Sequence, residues 1–250
     1  MGGALARGFA KAGLCPAGHI TLAAPHESTL GRFAEAGFAT TTDNKAAVAG
    51  ADVVIVAVKP WLVGGVIDEI RPALDCGRQT VVSVAAGVSG DELKAMLSAD
   101  GGDMPATFIA IPNTAVAVGC SMTFITPVSG GEEAAGKVEA IFNAVGSTLV
   151  VDERLLAAGT RLASCGIAYA MRYVRASTEG GVELGFKADA ARDIVLQTVK
   201  GAVALLQESG AHPEAEIDKV TTPGGLTIRG LNAMERAGFT NAVIRGLMGE

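Results

Sequence analysis

The hydrophobic pattern of this chain changes period once, near residue 150, and that change limits the folds open to it. Before it, short apolar runs rich in β-branched residues at 19–24, 52–58, 80–85, 107–111, 122–126 and 148–151 alternate with segments of helical period. Those segments fall at 30–36, 44–49, 62–74, 90–97 and 132–145. Near-continuous apolar strands separated by helices predict a mostly parallel sheet covered on both faces. After residue 151 strand signals end, and helical period fills 153–186, 188–209, 223–237 and 240–247. Gly210 and Gly238 stand where a left-handed cap would stop a helix. The chain is therefore read as α/β: a doubly wound, mostly parallel sheet over residues 1–150, then an all-α unit over 151–250. A run of helical period starting at residue 153 is long for one globular helix and contains Gly166, so a break near Cys165 and Gly166 is expected.

Composition removes several functional classes. A formal net charge of −6, from 20 Lys+Arg against 26 Asp+Glu, offers no basic surface for nucleic acid. The mean hydropathy of +0.38 raises the question of a membrane. However, the longest stretch free of charged side chains, 104–131, is broken by Pro105, Pro112 and Pro127 and cannot form one spanning helix. The start, from Met1 to Arg7, lacks the order of a secretion signal, and four cysteines without a C-x-x-C pair suit reduced thiols in a cytoplasm. The helical half has few aromatic anchors, so helices of a second copy are expected to complete its core.

Three segments have the residues for binding. Gly2 and Gly3 open an amphipathic helix that stops at Gly13, as the last glycine of a dinucleotide-binding turn would. In such a turn the strand and the first two glycines would lie before Met1, so the sheet is expected without its first strand. A buried strand ends in Ala57, Val58, Lys59 and Pro60, and two similar exits follow at Ala85, Ala86 and Gly87 and at Pro112 and Asn113. Strand ends with so little side-chain bulk would form the floor of a nucleotide groove. Near the end, Thr222 suits a helix N-cap, Pro223 the first helical position, and Gly224 and Gly225 a first turn with open backbone amides. With the hydroxyl of Thr227, that turn would bind a carboxylate without any cationic side chain. His19, His26 and His212 have no spacing for metal, and no G-x-S-x-G elbow occurs. A bound cofactor is therefore expected to supply the chemistry.

Together these segments resemble the pyrroline-5-carboxylate reductase family along essentially the whole chain. The landmarks are Met1-Gly2-Gly3-Ala4, Thr42-Asp43-Asn44, Ala57-Val58-Lys59-Pro60, Ser83-Val84-Ala85-Ala86-Gly87, Pro112-Asn113-Thr114, Ala168-Tyr169 and Val220-Thr221-Thr222-Pro223-Gly224-Gly225 with Thr227. The resemblance implies a Rossmann domain, a helical dimerisation domain, and reduction of 1-pyrroline-5-carboxylate to L-proline, the last step of proline biosynthesis. It implies that Gly2, Asn44, Ala57, Val58, Lys59, Pro60, Ala85, Ala86, Gly87 and Asn113 bind the cofactor, Asn44 near its adenosine end, the exits 57–60 and 85–87 along the nicotinamide half, and Asn113 near the nicotinamide ring. Thr222, Gly224, Gly225, Leu226 and Thr227 would bind substrate, with Thr227 able to act as proton donor to nitrogen. A protonated iminium arriving from solution would make that donor unnecessary.

The strand that ends at Ala23 and Ala24 carries no acidic residue at its tip, which leaves room for a 2′-phosphate and favours NADPH, with NADH as the alternative. The chain departs from the family pattern at Ile109, where Arg is common, at Ala115 and at Cys165. Met1 is read as an internal methionine of a longer reductase or a truncated start, in which case cofactor binding would be weak. Two rival readings follow: a non-catalytic homologue that keeps the helical scaffold, and a related hydroxy-acid dehydrogenase. The second would need a catalytic lysine, and Lys187, Lys200 and Lys219 lack the context.

Overall fold

Strands form where valine and isoleucine run without a break, and the crossovers between them decide their direction. The computed structural model describes residues 1–98 and 103–249. They divide into two compact units, Met1–Ser164 and Cys165–Glu250.

The first unit contains a parallel pair, β1 (Thr21–Ala23) with β2 (Ala39–Thr41). It also contains a five-stranded sheet of β3 (Val53–Val56), β4 (Thr80–Ser83), β5 (Ala106–Ile111), β6 (Ser121–Ser129) and β7 (Gly146–Val150), in that spatial order. Within it β3–β4, β4–β5 and β6–β7 are parallel and β5–β6 is antiparallel. The reversal has a local cause. Only a 3-10 turn, Thr114–Val118, and the left-handed Gly119 (φ 75°) connect β5 to β6, too little chain for a parallel crossover. Elsewhere helices make the crossovers: α1 (Gly2–Lys11) opens the chain, followed by α2 (Glu27–Ala34), α3 (Asn44–Val48), α4 (Val63–Ile70), α5 (Gly90–Leu97), α6 (Glu132–Asn143) and α7 (Leu156–Gly159).

The sheet is buried on both faces. Val81 and Ile109 join Val54, Val56, Ile67, Ile70, Leu93 and Leu97 in one core under α4 and α5. Their strand neighbours Val82, Phe108 and Ala110 point the other way, to Leu5, Phe9, Val138 and Phe142 of α1 and α6. Phe9 and Phe142 meet edge to face with centroids 6.0 Å apart. The expected doubly wound, mostly parallel sheet is therefore observed, with two additions. The sequence pattern does not reveal β2, since Ala39, Thr40 and Thr41 have neither alternation nor bulk and are strand only because β1 lies alongside. The β1–β2 pair also shares no ladder with the larger sheet, and among the described residues no strand precedes α1. Helix α1 lies against both parts: a Cβ on Gly2 would stand 3.2 Å from that of Ala57, and one on Gly3 would strike the Phe33 ring.

The predicted break in the long helical run is present as a π-helical turn, Thr160–Cys165, between α7 and α8 (Gly166–Glu183). The units divide at this turn, 14 residues after the change of sequence period, and packing explains the difference. Gly159 sits so close to Phe124 of β6 that a Cβ there would lie 2.8 Å from the ring, and Leu156 and Ala163 pack on the sheet core.

The second unit continues with α9 (Ala188–Ser209), α10 (Pro213–Lys219), α11 (Leu226–Arg236) and α12 (Phe239–Met248). A Cβ on Gly181 would be 2.9 Å from that of Ala191, which brings α8 and α9 into close contact. Gly210 (φ 60°) ends α9 as expected. Helix α11, however, begins three residues later than the sequence reading has it. Pro223 and Gly224 form a turn, and Gly225 is the N-cap.

Phe142 is fully buried between α6, α1 and the sheet, so Phe142→Ala should cost about 3–5 kcal/mol. Urea unfolding followed by circular dichroism will measure the loss; a shift below about 1 kcal/mol would contradict the packing described.

Candidate functional site

Register brings three strand exits together. Val56 pairs with Ser83 and Ser83 with Ile109, so β3 and β4 end level and β5 runs two residues beyond them, all three pointing the same way. The ladder extends one residue further, with the Val84 amide donating to the Val56 carbonyl at 3.0 Å. Beyond it lie Ala57, Val58, Lys59 and Pro60 from β3, Ala85, Ala86 and Gly87 from β4, and Pro112 and Asn113 from β5. Open α/β sheets bind ligands at this edge, and these exits carry methyl groups where other folds would carry bulk. Gly87 turns the chain in the left-handed region (φ 87°), and Gly2, against Ala57, brings the amides that open α1 to the first exit.

Two ties hold these exits, neither of them legible from spacing. After Gly87, Ser89 and Glu92 form a capping box at the start of α5, and Ser89's amide and hydroxyl hold the Glu92 carboxyl below its usual range. The Gly90 amide then donates to Glu153 Oε1 at 2.9 Å, which links the segment after β4 to the turn before α7. Asn113, only 5% exposed, holds the third exit. Its amide donates to Ser121 Oγ (3.2 Å), its Oδ1 accepts from the Ala115 amide (3.0 Å), and its Nδ2 reaches the Ala163 carbonyl (3.5 Å). Its side chain is thus occupied in fixing the exit and the π-helical turn. Ile109, the departure from the family's Arg, is 1% exposed within the sheet and does not face the groove.

Asn44 stands apart from the strand exits, at the first position of α3. The Asp43 side chain caps this helix by accepting from the Lys45 and Ala46 amides, and Asn44 Nδ2 donates to Glu69 Oε2 at 2.8 Å. At the tip of β1, Ala23 and Ala24 carry no charge, and the first carboxylate beyond them is Glu27, which opens α2. The chain therefore fits a dinucleotide: flat methyl-lined strand ends, a helix N-terminus at Gly2 beside the first of them, and no acid at the strand tip to repel a 2′-phosphate.

In the second unit the loop before α11 corrects the sequence reading. The Gly225 amide donates to the Thr222 carbonyl at 2.9 Å, with Pro223 and the left-handed Gly224 (φ 70°) between them, the pattern of a type II turn. Thr222 is therefore not the N-cap and Pro223 not the first helical residue, because a left-handed Gly224 cannot lie inside a helix. The Gly225 amide is used in the turn. Helix geometry instead leaves the amides of Leu226, Thr227 and Ile228 without carbonyls of their own helix, and the exposed Thr227 side chain stands beside them. A cation stands here as well, against the expectation of a site without one: Arg229 Nε donates to the Gly225 carbonyl at 3.3 Å, so amides, hydroxyl and guanidinium together suit an anion.

Comparison with known proteins extends over both units. The family described as pyrroline-5-carboxylate reductase dimerisation matches residues 153–249, and that described as NADP oxidoreductase, coenzyme F420-dependent, matches residues 1–87. Pyrroline-5-carboxylate reductase 1 of Dictyostelium discoideum is 36% identical over 99% of the chain, which spans 46% of that protein. Pyrroline-5-carboxylate reductase 2 of the same organism is 33% identical over 99% of the chain and 87% of its own length. Among solved structures, a pyrroline-5-carboxylate reductase from Coxiella burnetii superposes with a TM-score of 0.87 at 26% identity, covering 98% of this chain and 90% of its own. The Plasmodium falciparum pyrroline carboxylate reductase with NADP bound gives a TM-score of 0.86 at 23% identity, covering 99% and 90%.

A Cβ on Gly225 would lie 2.5 Å from Thr222 Oγ1 and 3.0 Å from its carbonyl oxygen. Gly225→Ala should therefore open the turn and weaken binding of a small carboxylate such as L-proline about tenfold, or ~1.4 kcal/mol, by titration calorimetry. Unchanged affinity would move the carboxylate away from this loop.

Proposed function

The chain belongs to the pyrroline-5-carboxylate reductase family, and from that membership we propose that it reduces 1-pyrroline-5-carboxylate to L-proline with NADPH, the last step of proline biosynthesis. The observation that carries the reading is the likeness to reductases of that name across both units of the chain. Residues 1–150 serve as the cofactor-binding domain and residues 151–250 as the substrate and dimerisation domain.

Bound NADPH supplies the hydride. In the first unit Ala57, Val58, Lys59, Pro60, Ala85, Ala86 and Gly87 form the groove floor, and the small or compact side chains of all but Lys59 let a dinucleotide lie along the strand ends. Gly2 offers helix amides to its phosphates, and Asn44 marks the adenosine end. Asn113 acts chiefly through the exit it fixes, because its side chain is spent on the Ala115 amide and the Ala163 carbonyl. NADPH is preferred over NADH because no carboxylate at the tip of β1 is placed to hold a free 2′-hydroxyl.

In the second unit the amides of Leu226, Thr227 and Ile228 hold the substrate carboxylate, on a loop shaped by Thr222, Gly224 and Gly225. The Thr227 hydroxyl donates to the carboxylate or the ring nitrogen. No stronger acid is required when the imine arrives protonated from solution, so rate depends on holding the C=N carbon near the hydride and keeping water out.

The protein acts as a homodimer through its helical unit. Among the described residues of that unit Ala191 alone is buried, while Met171, Leu184, Phe186, Leu205 and Ile244 are exposed, Leu184 at 83%. Single-chain helices with so much bare apolar surface need a partner, and the dimerisation family that matches residues 153–249 supports a second copy in that place. Four free cysteines accord with a reducing cytoplasm, and no described helix is long and apolar enough to cross a membrane.

Incubated with the imine and NADPH deuterated at its transferable position, the dimer should yield L-proline carrying deuterium on the reduced ring carbon, detected by mass spectrometry. A folded dimer with no turnover on either NADPH or NADH would overturn the proposal.

A further inference from the structure

Trp61 is the single tryptophan of the chain, and the reading above gives it no role. It is 77% exposed. It occupies the second position of a 3-10 turn, Pro60–Leu62, that leads from the β3 exit into α4. The turn is stiff: Pro60 fixes its start, the Leu62 amide closes it on the Lys59 carbonyl at 2.9 Å, and Val63, the next residue, is fully buried. The indole is thus held outside the core by an anchored backbone. Lys59 Nζ lies 6.0 Å from the ring centroid, so an aromatic face and a cation are presented together. A lone exposed aromatic would need no explanation. This one directly follows Lys59 and Pro60 at the edge where an open α/β sheet receives its ligand.

Flat aromatic faces paired with cations suit nucleobases that carry phosphate, since every base has a π-face and every phosphate a charge to neutralise. The topology selects which end of a dinucleotide this would be. Strand β3 is the edge of the five-stranded sheet, and β4 lies between it and β5, whose exit carries Asn113 near the proposed nicotinamide end. Helix α4, which starts two residues after Trp61, is tied at its far end through Glu69 to Asn44, the residue proposed for the adenosine side. We infer that Trp61 stacks on the adenine of the dinucleotide while Lys59 neutralises an adjoining phosphate, which moves the β3 exit away from the nicotinamide half where the resemblance puts it. The inference rests on the cofactor reading above, and its test separates the two.

Because Trp61 is the only indole, its emission reports on this position alone. Adenosine 2′,5′-bisphosphate, which carries the adenine and the 2′-phosphate without the nicotinamide, should quench it, and nicotinamide mononucleotide should not. In parallel calorimetry, Trp61→Ala should weaken NADP⁺ binding about tenfold, Trp61→Phe should recover most of the loss, and the KM for NADPH should follow the same order. Trp61 is so exposed that both variants should keep the far-ultraviolet dichroism of the parent. The inference is overturned, with the cofactor reading intact, if NADP⁺ binds the parent while Trp61 emission stays unchanged, or if Trp61→Ala binds as tightly as the parent. Quenching by the mononucleotide alone would assign the ring to the nicotinamide end and overturn the adenine assignment. A folded protein that binds no NADP⁺ in calorimetry would remove both.

Discussion

Burial of β4 and β5 on both faces at once is the constraint on which the first unit depends. Val81 and Ile109 face one layer of helices, and Val82, Phe108 and Ala110 face the other, so a shift of one residue in either strand would exchange the two cores. That penalty locks the register, and the locked register brings the ends of β3 and β4 level with each other and within two residues of the end of β5. An edge with little side-chain bulk exists because three separate segments, near Ala57, Ala85 and Asn113, leave the sheet on the same side within a few residues of one another. The ties beyond it, from Gly90 to Glu153 and from Asn113 to Ser121, Ala115 and Ala163, then hold loops that the ladder no longer reaches.

The second unit follows a different economy. Its helices meet closely where Gly181 faces Ala191, but most of their apolar side chains remain in the open. Its distinctive loop is a backbone feature, the turn from Thr222 to Gly225, whose left-handed glycine stops the chain from entering the helix early. The result is a helix start whose first amides have no carbonyl of their own helix, with the Arg229 guanidinium at the Gly225 carbonyl beside them.

Much of this was legible in advance. The apolar runs at 52–58, 80–85 and 107–111 became β3, β4 and β5, the segment at 90–97 became α5, and the expected break near Cys165 is the π-helical turn that ends there. Side chains buried on two faces leave an unmistakable pattern, whereas β2 left none because two threonines and an alanine owe their strand to a neighbour. The start of α11 was misjudged for a related reason. A threonine, a proline and two glycines satisfy the rules for a helix N-terminus and for a type II turn alike, and the sign of φ at Gly224 decides between them.

By itself the sequence determined the alternation of strand and helix, the family, and which residue types stand at each strand end, because periodicity, glycine and proline act over a few neighbouring residues. Only the tertiary structure decided that Asn113's side chain reaches Ala163, that Glu153 reaches the start of α5, that Ile109 is buried in the sheet, and that Trp61 stands in solvent. Each of these depends on a partner brought close by packing, or on the lack of one. No local pattern encodes such a partner, since the distance along the chain from Gly90 to Glu153, 63 residues, says nothing of the 2.9 Å between them in space.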